Sequence, residues 1–231
     1  RRTQPDHLRK PLRAISARLP ERHLIPKNTA NRIITNLLIV HIMPNWCWIS
    51  YIAVGDKQEI HDLYNKMKSL EDAEKSLVEN DFGKTWLGNL VTILGGDWNA
   101  IRCKGCFSEL HIDDEGALRF EAMSAWAELS DLRQFIQSKY PSLHLYYNAE
   151  ESGNCYYVTN DAEGKYFPER IKVDEQNNDP AYCKTWEEAF QVISERTGAE
   201  IHNREEMNRA LEAYNEAHED AEINIHEFTI K

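Results

Sequence analysis

Five cysteines and nine histidines are the side chains in this sequence best able to do chemistry. The tightest grouping is Cys103-Lys104-Gly105-Cys106, with His111 five residues on. Two thiolates in a glycine-containing turn supply half of a tetrahedral zinc site. Completing it takes two more ligands, drawn from His111, Cys155 or Cys183, yet the sequence has no second CxxC and no HxxxH. The plainer reading, reduced thiols on and beside a strand, is preferred. Cys103, Cys106 and His111 stand as the candidates for a metal or an enzymatic role, and no cofactor is expected. No cysteine spacing gives a disulfide framework, so a reducing compartment, the cytoplasm, is the expected location.

His61-Asp62 and His226-Glu227 each pair an imidazole with an adjacent carboxylate. Neighbours along a helix or a strand do not face one another, so both are poor acid–base dyads and read as solvated surface. There is no HExxH, GxSxG or Walker loop, and ten glycines never fall as GxGxxG. An enzyme is therefore not expected. Aromatic residues gather at Trp46/Trp48/Tyr51 and at Tyr146/Tyr147/Tyr156/Tyr157. Exposed on a sheet, such rings stack bases, as in RNA-recognition modules. Gly116-Ala117-Leu118-Arg119-Phe120 does not match the third-strand motif of those modules. The aromatics are expected in the core or half-buried on the sheet, with any exposed patch serving a protein partner.

The net charge of -11 joins two unlike pieces. Residues 1–42 hold nine Lys/Arg and only Asp6 and Glu21, or +7, with no aromatic, Cys, Gly or Met and four of the eight prolines. The remaining 18 basic and 36 acidic residues give -18 from residue 43 onward. Three readings compete for the opening segment: a targeting or anchoring element, a basic disordered arm, and upstream sequence that is not part of the native protein. The apolar run Ile33–Ile42 imitates a signal peptide, but Asn36 and His41 interrupt it and Pro44-Asn45-Trp46 follows instead of a cleavage site. Extended to Val54 it reaches spanning length, with Asn36, His41, Pro44 and Asn45 then inside it, so no membrane span is expected. The composition changes at Met43, the first methionine, and this favours a non-native upstream extension.

The acidic remainder lacks the electrostatic term that drives nucleic-acid binding, so direct binding is not expected. Glu200, Glu205, Glu206, Glu212, Glu216, Glu219, Asp220 and Glu222 line the final helical stretch and its flanks. They serve solubility or, on a sharper reading, mimic a phosphate backbone and block a DNA-binding protein.

The elements that position these residues follow from periodicity. Trp46–Val54 reads as a buried strand stopped by Gly55. Asp56, with Glu59 completing a capping box, opens a helix whose Ile60, Leu63, Tyr64, Met67 and Leu70 share a face. A helix over 84–94 follows, then a hairpin turning at Asp114-Glu115-Gly116, with Leu118, Phe120 and Ala122 on one side. Ser130 is expected to cap a helix ended by Pro141. Strands are expected over 143–148, 154–160, 166–173 and 223–230, with helices capped by Thr185 and by Asn203. This predicts an α+β protein: a ferredoxin-like (split βαβ) antiparallel sheet with an inserted helix, then a C-terminal extension of two helices and a strand. One domain would cover residues 43–231, its core about 43–175 and its extension about 176–231.

Three stretches carry a family resemblance. They are Met43-Pro44-Asn45-Trp46-Cys47; Phe120-Glu121-Ala122-Met123-Ser124-Ala125-Trp126; and Tyr140-Pro141-Ser142-Leu143 with the later Glu151-Ser152-Gly153-Asn154. Together they resemble the YubB-like family of plasmid and mobile-element proteins. A proline-containing segment is expected after Trp126, where Ala127-Glu128 stands. The resemblance implies a ferredoxin-like fold and a mobile-element setting, and no catalytic residues. The expectation is a non-enzymatic module that binds an unidentified protein. The alternatives are an acidic DNA mimic and an enzyme or zinc protein using Cys103, Cys106 and His111.

Overall fold

Trp46–Val54 forms a nine-residue strand, β1, over the span that its aromatic and β-branched content predicts. The computed structural model describes residues 45–176 and 178–231, so the basic segment 1–42 and Met43-Pro44 lie outside the described residues. Gly55 leaves β1 at φ +153 against the Ser142 carbonyl, where a Cβ would collide with that oxygen. Asp56 then caps helix α1, Lys57–Asp72, accepting from Gln58 N at 2.9 Å and Glu59 N at 3.2 Å. The expected return bond of the capping box is replaced. Glu59 takes the Ser142 hydroxyl at 2.8 Å, and Ser142 Oγ accepts from Asp56 N at 3.0 Å. Ile60, Leu63, Met67 and Leu70 are buried as the periodicity predicts.

Helix α2, Leu87–Ile93, is shorter than the expected 84–94, because Trp86 at its N-cap has no oxygen to offer the free N–H groups. The preceding loop is instead organised by Asn89, fully buried. Its side chain accepts from Val78 N at 2.9 Å and donates to Ser76 Oγ at 2.7 Å and Lys84 O at 2.9 Å. Strands β2, Gly105–Ile112, and β3, Leu118–Ala125, form the expected hairpin. A bulge between Ser108 and His111 interrupts their register, with Glu109 at φ +53. Helix α3, Ser130–Lys139, begins one residue earlier than expected: Leu129 is the N-cap and makes no side-chain cap.

Strands β4, His144–Glu151, and β5, Tyr156–Thr159, complete an antiparallel order β2-β3-β1-β4-β5. A sixth strand, β9, Thr229–Ile230, adds beside β5 in parallel, so the sheet is mixed and not wholly antiparallel as expected. The α+β class holds. On one face, Cys47, Ile49, Tyr51 and Ala53 of β1 share a core with Phe120, Ala122 and Leu145 and with Leu63, Met67, Leu90, Leu132 and Ile136 of the three helices.

A second, three-stranded sheet has the order β7-β6-β8, from β6, Ile171–Glu175; β7, Ala181–Cys183; and β8, Ile223–Glu227. Helices α4, Trp186–Thr197, and α5, Arg204–Ala217, share its separate core of Ile171, Val173, Cys183, Ala189, Ile193, Met207 and Ile223. Thr185 and Asn203 cap them as expected, and Gly198 ends α4 at φ +73. The strand expected at 166–173 is displaced to β6. Its first half is held locally, with the Asp161 carboxylate accepting from Tyr166 N at 2.6 Å and Phe167 N at 2.8 Å. β6 therefore pairs with the segment expected as the extension. The strand expected at 223–230 divides at buried Phe228, with β8 in one sheet and β9 in the other.

Candidate functional site on the open sheet face

Cys103 and Cys106 open the run into β2. Cys103 is buried, its thiol 3.5 Å from Trp98 O, and burial pushes both thiols above the ordinary value of 9.0. His111 lies at the far end of β2, about 16 Å along the strand from Cys106. Its Nδ1 is 3.0 Å from Glu109 O. Cys155 is exposed in a turn, and Cys183 is buried in the second core. The candidates are thus spread over several elements. Among the described residues, no group of three or more His, Cys, Asp and Glu is placed to hold a metal ion. A thiol held protonated is also a poor nucleophile and a poor ligand.

The histidine pairs also separate. Asp62 turns from His61 to Lys66 Nζ and Tyr140 OH, each at 2.7 Å. These two bonds, Lys66 first, hold its carboxyl below the ordinary 3.8. His226 stacks on Tyr157 at 4.2 Å between ring centres, while Glu227 pairs with Arg204 at 3.2 Å. Of the aromatic groups, Tyr51, Tyr147 and Tyr157 are buried, and Trp46, Tyr146 and Tyr156 are half-buried. Trp48 differs: 60 % of it is exposed although it lies on a central strand.

Trp48 marks the face of the sheet opposite the helical core. In antiparallel pairs, residues directly opposite share a face. Trp48 faces Met123 on β3 and Glu150 on β4; Ser50 faces Glu121 and Asn148. These six side chains form two rows across three strands, each strand about 4.8 Å from the next. A shallow pocket of about 340 Å³ lies among Trp48, Ser50, Asn148, Glu150, Lys172 and Tyr182.

Among the described residues, three acceptors here lack full partners. Glu121 Oε2 accepts from Ser50 Oγ at 2.9 Å. Burial holds this carboxyl above its ordinary 4.5, against the lowering effect of the serine, and the charge of Glu109 adds to the rise. No basic side chain of the described residues offsets it. Asn148 Oδ1 is buried with no hydrogen-bond partner. Glu150 uses Oε2 for both Lys172 Nζ at 3.0 Å and Tyr182 OH at 3.3 Å, leaving its other oxygen uncommitted. Lys172 also lies over the rings of Tyr157 and Tyr182, at 5.6 and 5.7 Å.

No family model, curated protein or solved structure matches the chain.

The site therefore stands on its own geometry. A second exposed tryptophan, Trp126, follows β3 at φ +75, with its backbone N–H on Asn45 O at 2.9 Å and 46 % of its surface in solvent. Holding a bulky side chain in the left-handed region is costly, and such outliers gather at functional positions. Elsewhere, Arg102, Arg133, His144 and Lys231 line a cleft of about 520 Å³. The two arginines are already paired: Arg133 with buried Glu128 at 2.8 Å and Arg102 with Asp131 at 3.0 Å. On α5, Glu205, Glu212 and Glu216 are exposed, whereas Glu206 accepts the His202 N–H at 2.8 Å. No helix of the described residues is long and apolar enough to cross a membrane.

Of the open-face residues, sequence reasoning singled out Trp48 and missed Ser50, Glu121, Asn148 and Glu150 as a set. Each alternates with core residues in its own strand, but only the register brings them together.

Proposed function

We propose that this protein is a non-enzymatic binding module that receives a protein partner on the open face of its six-stranded sheet, around Trp48. The observation that carries this reading is the exposure of Trp48 at the centre of a sheet whose other face is fully packed. A free indole forgoes about 2–3 kcal/mol of burial, which a partner surface recovers. The acidic side chains beside it oppose a phosphate backbone, which favours a protein over a nucleic acid.

The strand order β2-β3-β1-β4, with helical connections from β1 to β2 and from β3 to β4, supports a ferredoxin-like core. The YubB-like resemblance, with its mobile-element setting, and a cytoplasmic location are part of the same proposal. A second reading, acidic mimicry of DNA, is favoured by the exposed carboxylates of α5. Failure to bind any of a panel of basic DNA-binding proteins at low salt removes it. The Cys103, Cys106 and His111 alternative has less support, because those residues lie apart.

The test replaces Trp48 with a photo-crosslinking aromatic residue in the native host, with Leu77, another exposed apolar residue, as the control position. The reading expects a discrete adduct from position 48 and none from 77. An adduct that the two purified proteins fail to reproduce, or none at all, sinks it.

A further inference from the structure

The geometry points to a guanidinium site: we infer that the open face recognises an arginine side chain of the partner, resting on the binding-module reading above. Among the described residues, Asn148 Oδ1 is buried without a donor, and Glu121 and Glu150 each hydrogen-bond through Oε2 alone, all on the face that carries the exposed indole. The orphaned amide oxygen is destabilising, and the solvent-facing carboxylate oxygens beside it add acceptors, so the set calls for a ligand rich in N–H groups. A half-buried carboxylate with no cation near it calls for positive charge. A flat indole face next to both calls for a planar cation.

Guanidinium meets all three requirements. It carries five donors in a rigid plane and no acceptor, stacks on aromatic faces and gives up water more readily than an ammonium. Lysine has three donors on a compact, strongly hydrated head and satisfies fewer acceptors at once. The face already shows how it treats an ammonium. Lys172, from the chain itself, sits at the rim between two tyrosine rings and takes one oxygen of Glu150, leaving Glu121 and Asn148 unserved. The -18 charge from residue 43 onward adds long-range attraction for a basic partner and speeds encounter at low salt. Tryptophan and arginine are also the residue types that concentrate energy in protein interfaces.

The test is a displayed library of random 12-residue peptides. It is selected on the full chain and counter-selected on Trp48→Ala, with thermal melts confirming that every variant folds. The inference expects selected peptides to be enriched in arginine. Replacing the key arginine by lysine should weaken binding about tenfold, on the scale of one lost charge-assisted hydrogen bond. Citrulline at that position should weaken it further, and Glu121→Gln should lose a similar factor. Peptides that need Trp48 but carry no arginine, or that tolerate lysine or Glu121→Gln unchanged, overturn the guanidinium site and leave the binding face standing. A selection in which nothing distinguishes the chain from Trp48→Ala overturns both.

Discussion

The ammonium of Lys172 on β6 lies 3.0 Å from the carboxylate of Glu150 on β4, so one ion pair joins the two sheets. With 9 % of its side chain exposed, Lys172 is shielded enough for the loss of either partner to matter. Lys172→Met leaves Glu150 with only the Tyr182 hydroxyl and is expected to destabilise the protein by about 2 kcal/mol. Burial opposes the Lys172 charge, but Glu150, then Tyr182 and Asp174, hold its pKa above 10.5. The pair's contribution is therefore complete below pH 10.5 and is lost as pH rises through the higher folded value. Denaturant midpoints at pH 8 and pH 11 check this: the wild type should lose more than the Met variant.

Glu121 also loses stability as pH rises, in a lower window and because its charge is disfavoured. Its carboxyl is held above 4.5 mainly by burial, so folding favours the protonated form and stability falls as pH rises past that value. Glu121→Gln is isosteric and uncharged, and it is expected to raise stability at pH 7 by about 0.5–1 kcal/mol. A melt at pH 7 and another at pH 4 separate the outcomes, because the gain should vanish in acid. A variant that is stabler yet binds less well would mark Glu121 as retained for recognition.

His226 gives a third pH signature. Burial first, then the neighbouring Lys172, holds its pKa below 6.5, with Asp174 and Glu150 opposing. The unfolded chain takes up the proton more readily, so stability is full above pH 6.5 and declines as pH falls through the folded value. His226→Phe keeps the stack on Tyr157 and removes the titration. Urea midpoints at pH 7 and pH 5 should shift less in the variant than in the wild type; equal shifts would refute the assignment.

Asn89 supports the loop before α2 through a wholly buried amide. Asn89→Ala strands Val78 N–H and the Lys84 carbonyl. It is expected to cost about 3 kcal/mol, since unsatisfied buried groups are expensive. Limited proteolysis should then cut near residues 76–84 in the variant and spare the wild type.

Most helices and much of the first sheet were legible in the sequence because their signals are local. Asp56, Thr185 and Asn203 announce helices through side-chain oxygens that reach N–H groups two or three residues away. Ile60, Leu63, Met67 and Leu70 show their common face by spacing alone. In the second sheet β8 and the start of β6 fall within expected strands, but β7 and the pairing of the three were not legible. β7 is three residues long and carries no period, and β6 follows a stretch whose aromatic content reads as strand while Asp161 takes its N–H groups and Arg170 its Phe167 carbonyl. The open-face site was half legible. An aromatic cluster flagged Trp48, but the three under-served acceptors belong to two strands that meet only through β1, and no single-strand pattern reveals that.

The bulge in β2 has a consequence for how the protein meets others. A strand at the rim of a sheet is a template for another chain, and regular rims invite strand addition and fibre growth. Here Ser108–His111 kinks one rim, Thr85 O takes the Phe107 N–H along it, and β9 lies along the other. Neither rim offers a long, flat row of free N–H and C=O groups. A visitor is steered away from backbone pairing, which reads little sequence, and onto the broad face, where side chains decide who is admitted.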